Sequence, residues 1–133
     1  MTDKEIVLAF VKAINDHDVD EIYNLISEDH IFIDGSGEKH VGKINMKEGW
    51  KNYFDMFPDY SVDITDIIED NLVIGFFGYA SATCKIAKDK INSNFWKTPA
   101  AWKAIVENEK IKHWQMYCDY TRLIEIMKMD QEG

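Results

Sequence analysis

With 133 residues, 46% of them apolar and 13% aromatic including four Trp, the chain is long enough to bury one core and still line a cavity with rings, so one domain over residues 1–133 is expected. Lys and Arg number 15 against 24 Asp and Glu, a net charge of −9, which sets the chain against binding nucleic acid. Arg122 is the only arginine and no Gly-rich loop is present, which counts against a phosphate-rich ligand. Two cysteines, Cys84 and Cys118, make no disulfide framework and read as reduced small hydrophobes. The opening MTDKEIVLAF lacks a basic segment followed by a long apolar run, and no stretch reaches the roughly 20 apolar residues a bilayer span needs. A cytoplasmic protein without membrane association is the expectation.

In chain order, Thr2 with Glu5 forms a capping-box pattern, and Ile6, Val7, Phe10, Val11 and Ile14 recur at the helical period, so a first helix is predicted over residues 3–15. Asp18 with Glu21 starts a second, shorter helix whose buried stripe is Val19, Ile22, Leu25 and Ile26. HIFID, residues 30–34, reads as a short strand ended by Gly35-Ser36-Gly37. Asn45 with Glu48 begins a third helix with Ile44, Trp50, Tyr53, Phe54 and Phe57 on its apolar face, and Pro58 stops it. From there the period falls to two. Tyr60, Val62 and Ile64 alternate with polar residues. Strands are predicted over residues 72–85, 93–106 and 110–118, separated by turns at Glu69-Asp70-Asn71, Lys88-Asp89-Lys90 and residues 107–109. A short helix over residues 121–129 and a polar tail, residues 130–133, complete the chain. Helices followed by hairpins point to an α+β fold with an antiparallel sheet packed on helices.

FVKAINDHDVDEIYNLISEDHIFID (residues 10–34) is similar to the opening of nuclear transport factor 2-like proteins: a helix, an N-x-x-D break, a second helix ending L-x-x-E-D, then a strand. WKNYFDMFPDY (residues 50–60) resembles the Y-F-x-x-F-P-D stretch of SnoaL-like domains, and PAAW (99–102) with KIKHWQMYCD (110–119) resembles their paired C-terminal strands. The resemblance, carried by order and spacing over nearly the whole chain, implies a cone: a curved antiparallel sheet on three N-terminal helices, with an apolar pocket between them and frequent dimerisation. It also implies walls drawn from Phe10, Phe32, Trp50, Tyr53, Phe54, Ala101, Trp114, Gln115 and Met116.

Ketosteroid isomerases, limonene-epoxide hydrolases and polyketide cyclases share this fold, so each reaction is tested by residue. The isomerase base aligns with Asp34, but the oxyanion tyrosine falls on Phe10 and the second acid on Ala101, which removes the oxyanion donors. The hydrolase cluster places its last aspartate at Met116, and Arg122 lies beyond the sheet. The cyclase pattern places an aspartate after a His-Trp pair; here His113-Trp114 is followed by Gln115, and an amide is no general acid or base. A bulge in the last strand would bring His113 or Asp119 inward instead.

Each candidate also has a plainer reading. Asp34 beside Gly35 can form an Asx-turn, His113 can be a satisfied strand histidine, and Asp119 can cap the closing helix. His30 and His40 read as surface residues, and His17 as part of a helix-breaking turn. No histidine pair or Cys-x-x-Cys has metal-ligand spacing, so neither a metal nor a cofactor is expected. The resulting reading is a pocket for a mostly apolar small molecule, with catalytic candidates Asp34, His113 and Asp119. The rival reading is a non-catalytic ligand-binding or dimeric interaction domain. Two further expectations follow. Asp34, among apolar walls, should have a raised pKa. Both faces of the last two long strands carry apolar residues, Trp96 and Trp102 against Phe95 and Ile105, and Trp114 and Met116 against Tyr117, so a homodimer should cover the outer one.

Overall fold

The structure, a computed structural model, describes residues 1–85 and 94–132; the expected turn at Lys88-Asp89-Lys90 and the strand start at Ser93 lie outside them. Helix α1 (Asp3–Asn15) opens with the capping box: Thr2 Oγ1 accepts from the Glu5 amide at 3.1 Å, and Glu5 Oε1 accepts from the Thr2 amide at 3.0 Å. Its buried face is Ile6, Val7, Phe10, Val11, Ala13 and Ile14. Helix α2 (Val19–Leu25) is capped by Asp18, which accepts from the Glu21 amide.

Strand β1 (Ile26–Ile33) begins four residues earlier than the apolar pattern suggests, because Ile26 caps α2 and then pairs with Ile111 instead of extending the helix stripe. A short strand that the sequence pattern does not reveal, β2 (Lys39–Val41), folds back on β1. Helix α3 (Lys43–Met56) also starts early. Its N-cap is Gly42, at φ +100°, with no side-chain cap bond; Asn45 lies inside the helix, and Ile44 is exposed rather than on the apolar face. The helix stops before Pro58, with the Phe57 amide donating to the Tyr53 carbonyl.

Strands β3 (Ser61–Asp70), β4 (Val73–Thr83), β5 (Phe95–Glu107) and β6 (Lys110–Cys118) form the antiparallel meander. The six-stranded sheet has the order β2-β1-β6-β5-β4-β3, and only the β1–β6 pair is parallel. The register shifts between Ile64 and Asp66, and again between Ile105 and Val106, and such bulges bend a sheet. Gly78 is required at the first: a β-carbon there would lie 1.8 Å from the Asp63 carbonyl oxygen. Helix α4 (Thr121–Glu132) runs slightly past its expected end and sets Leu123 and Ile126 in the core. Among the described residues no helix is long and apolar enough to cross a membrane.

The inner face of the sheet follows from the register. One cross-strand row is Phe76, Trp102 and Met116, and the next is Ile74, Ala104, Trp114 and Phe32. Phe10 of α1 sits on Trp114 at 4.5 Å between ring centroids, and Phe76 stacks on Trp102 at 5.2 Å. The opposite rows, Phe77-Ala101-Tyr117 and Val73-Ile105-His113-Ile31, form the outer face.

Candidate functional site

Between α3, α4 and the inner sheet face lies a cavity of about 650 Å³. Trp50 and Tyr53 come from α3, where the four-residue spacing of Met46, Trp50 and Phe54 keeps that helix turned inward. Phe32, Trp102, Trp114 and Met116 come from the sheet, Tyr60 from the segment before β3, and Tyr120 from the start of α4. The polar rim comes from the loop between β1 and β2 and from its continuation: Asp34, Ser36, Glu38 and His40, with Asn45 of α3 beside them.

The Asp34 carboxylate organises that rim. Its Oδ1 accepts from the Ser36 amide at 2.9 Å, the Ser36 hydroxyl at 2.5 Å and the Glu38 amide at 3.1 Å, while Oδ2 meets His40 Nε2 at 2.9 Å. His40 in turn stacks on Phe32. The expected rise in the Asp34 pKa is corrected here. Burial does push it up, but the bonds from His40, Ser36 and the Glu38 amide together outweigh burial and hold it below the ordinary carboxylate value. Asp34 therefore both forms an Asx-turn and lines the cavity. Glu38 approaches the same point, with ligand atoms of Asp34, Glu38 and His40 within 4.8 Å of one another.

Deeper in, Tyr53, Tyr60 and Tyr120 converge. The Tyr53 and Tyr60 rings are 4.9 Å apart at 88°, and the Tyr120 hydroxyl donates toward Met116 Sδ at 3.7 Å. Burial, reinforced by Cys118, pushes all three pKa values up; neighbouring phenols add to the rise at Tyr53 and Tyr120, while the Tyr53 bond opposes it at Tyr60, and all three stay protonated hydroxyls. Burial also pushes the Cys118 thiol up. Gly35 ties the rim to this cluster, since a β-carbon there would meet Cys118 Sγ at 2.5 Å and the Tyr120 ring at 2.7 Å.

Of the residues expected at the site, Asp34, Phe32, Trp50, Tyr53, Trp114 and Met116 line the cavity. Phe10 and Phe54 are buried behind it, against Trp50. His113, Gln115 and Ala101 do not line it: the two-residue period of β5 and β6 places them on the outer face, where His113 Nε2 lies 3.1 Å from Gln115 Oε1. Asp119 is exposed and caps α4, accepting from the Thr121 amide at 2.9 Å and hydroxyl at 2.6 Å. The reading of His30 as a surface residue is corrected too. It is 1% exposed, with Nδ1 2.7 Å from the Ile111 carbonyl oxygen. His40 also departs from its reading as a surface residue, being half-buried at the rim, and Tyr60 and Tyr120 join the lining from outside the expected set. His40 sits in a strand of three residues with no apolar alternation; Tyr60 alternates with Val62, a signal that marks the inward face. A second groove, about 380 Å³, lies beside β1 and β6, where Lys112 is within salt-bridge distance of Asp29 and Glu107 and the charges largely satisfy one another.

These features define an α+β cone with a ring-lined cavity and a polar rim. The pattern of the SnoaL-like domain matches residues 7–114, and the chain belongs to that family. Similar solved structures include a protein with a ketosteroid isomerase-like fold from Catenulispora acidiphila, in complex with trimethylamine: 17% identity, TM-score 0.82, covering 99% of this chain and 98% of that one. An LEH-like epoxide hydrolase of M. tuberculosis is 15% identical, with a TM-score of 0.74 over 97% of this chain and 89% of that one. An uncharacterised cystatin-fold protein from Novosphingobium aromaticivorans is 19% identical, with a TM-score of 0.72 over 87% and 97%. At these identities the likeness carries the fold and no more. Among curated proteins no match is found.

Proposed function

We propose that the protein binds a small, mostly apolar molecule in the cavity between α3, α4 and the sheet. The observation that carries this reading is the lining: about 650 Å³ bounded mainly by aromatic and sulfur side chains, with polar groups gathered at one rim. That volume and that distribution are those of small-molecule sites. A relative of the same fold holds a small amine, trimethylamine, which supports the same class of ligand. Native mass spectrometry of freshly purified protein, with release of the bound species by organic solvent, tests it. Trp50, Trp102 and Trp114 line the site, so a ligand that fills it should also change the tryptophan emission. Protein that never carries a small molecule, and whose emission no apolar compound alters, would refute the reading.

A second reading is favoured by the Asp34–His40 contact at 2.9 Å. An imidazole oriented by a carboxylate is the arrangement of an acid–base group, with His40 moving the proton and Asp34 holding the ring. This assigns to Asp34 a positioning role. Turnover of the co-purified ligand that survives in His40→Ala would eliminate it. His113 and Asp119 contribute nothing to this chemistry from their positions.

The protein is further proposed to be a cytoplasmic homodimer, paired through the outer sheet face. Phe77, Tyr79, Phe95 and Tyr117 are all exposed there, and a surface carrying four large apolar side chains is normally covered. Cys84 and Cys118 are both free thiols, which suits a reducing compartment. Light scattering should give twice 15.5 kDa; a mass of 15.5 kDa at high micromolar concentration would remove the dimer.

A further inference from the structure

The charge and ring geometry of the cavity narrow its ligand class. The ionisable groups of the lining are the carboxylates of Asp34 and Glu38, the imidazole of His40 and three protonated phenols; no lysine or arginine is among the described lining residues. The nearby α3 lysines face elsewhere. Lys43 and Lys47 lie over the Tyr23 ring at 4.4 and 4.9 Å, and Lys47 also pairs with Asp20 at 3.3 Å. Among the described lining residues, the two rim carboxylates therefore face His40 as the one group that can carry positive charge. Asp34 is ionised at neutral pH. Its negative charge is fixed in place by the Ser36 and Glu38 amides rather than cancelled by a permanent cation.

Two ring pairs of the lining are close to perpendicular, and a third is tilted. Trp50 and Tyr53 meet at 81° and 6.0 Å, Tyr53 and Tyr60 at 88° and 4.9 Å, and Phe32 lies at 30° to Trp50 at 6.0 Å. The rings thus face in different directions around the cavity, and an electron-rich ring face attracts a cation within about 6 Å of its centre. An apolar anion, such as a fatty or aromatic acid, would meet these faces and two carboxylates with no permanent positive charge to receive it. A neutral hydrocarbon would leave the carboxylates unused.

We propose that this cavity selects a hydrophobic organic cation, a tertiary or quaternary alkylammonium carrying an apolar body. The body lies against Trp102, Trp114 and Met116, and the ammonium group sits at the rim end of the cavity, beside Phe32, Trp50 and Tyr53 and near Asp34 and Glu38. The chain's net charge of −9 favours the approach of such a ligand. This rests on the cavity being a binding site, as proposed above.

The test is titration of tryptophan emission with three phenylbutyl compounds of matched shape: the trimethylammonium cation, its tert-butyl carbon isostere, and the carboxylate 5-phenylpentanoate. The cation should bind at least tenfold more tightly than the neutral isostere, with the carboxylate weakest. The double variant Asp34→Asn, Glu38→Gln should lose most of that preference while binding the neutral compound as before, with its fold checked by circular dichroism. Phe32→Leu, which keeps both carboxylates, should weaken the cation more than the neutral isostere. Equal affinity for cation and isostere, or a tighter anion, would overturn the inference and leave the pocket standing. If none of the three compounds binds, the inference fails, and the pocket reading is decided by the native mass spectrometry described above.

Discussion

His30 offers the sharpest test of the packing. Its ring is buried, and Nδ1 lies 2.7 Å from a carbonyl oxygen that can only accept, so Nδ1 carries the proton of a neutral ring. Nε2 has no partner among the described residues. Burial lowers the pKa from 6.5 to about 4; the Ile111 bond opposes this, His113 adds to it and Asp29 opposes it. The folded value lies below the unfolded one, so the stabilising contribution is complete above pH 6.5 and is lost as pH falls toward 4. A fall from 6.5 to about 4, at about 1.4 kcal/mol per unit, amounts to roughly 3 kcal/mol. The carboxylates whose values are lowered, Asp34 among them, lose their contributions mainly below pH 4, so the two windows separate. Urea unfolding from pH 7.5 to 4.5 should show a steep loss in the wild type and a much flatter one in His30→Leu, although that variant starts less stable because Ile111 loses its donor. Imidazole nitrogen NMR at pH 7.5 should show the neutral Nδ1–H tautomer. A His30 ring that titrates near 6.5, or parallel slopes for the two proteins, would refute the argument.

Asp34→Ala removes the acceptor of four bonds, but the loop is open to water, so the cost at pH 7 should be about 1–2 kcal/mol. The Asp34 pKa is lower folded than unfolded, so the charge-dependent part of this difference is full above about pH 4 and is lost as pH falls through the folded value; unchanged urea midpoints at pH 7 would contradict it. Gly78→Ala drives a methyl group into the Asp63 carbonyl, whereas at Gly75 the nearest atom is 4.0 Å away. The first should lower stability by about 1–3 kcal/mol or more, the second far less, and equal melting temperatures would dismiss the bulge constraint. Phe77→Lys places a charge at the centre of the outer face and should halve the mass seen by light scattering, with the helical signal retained; a wild-type mass would remove Phe77 from the interface.

Much of the fold is legible because its signals are local. The Thr2–Glu5 box, the stop at Pro58 and the two-residue alternation from Tyr60 onward each act within a few residues, and each produces the expected element. The errors fall where distant partners decide. Ser27-Glu28-Asp29 gives no strand pattern, and the register with β6 shifts across them; β1 starts as early as Ile26 because Ile111 of β6 pairs with it. Lys39-His40-Val41 becomes a strand only because β1 lies beside it. The site shows the same division. Trp50 and Tyr53 follow from helical spacing, but the pairing of His40 with Asp34 depends on a reversal of the chain at residues 35–38. Likewise, the sign of the Asp34 shift depends on how many donors that reversal supplies, and neighbouring residue types do not reveal the number.

The parallel pairing of β1 with β6 has a consequence for how the molecule assembles. β1 and β2 make a small hairpin whose other edge is filled only by residues 111–115, some eighty positions further along. Closing a contact across that much chain is slow, and it comes after the meander can form from its own neighbouring turns. Phe32 and the Asp34 rim reach the cavity only at that step. During synthesis the first third of the chain, with the edge of β1 open and the rings of α3 uncovered, must wait for the last strand to emerge. In that interval it is the part of the molecule most exposed to pairing with the wrong edge.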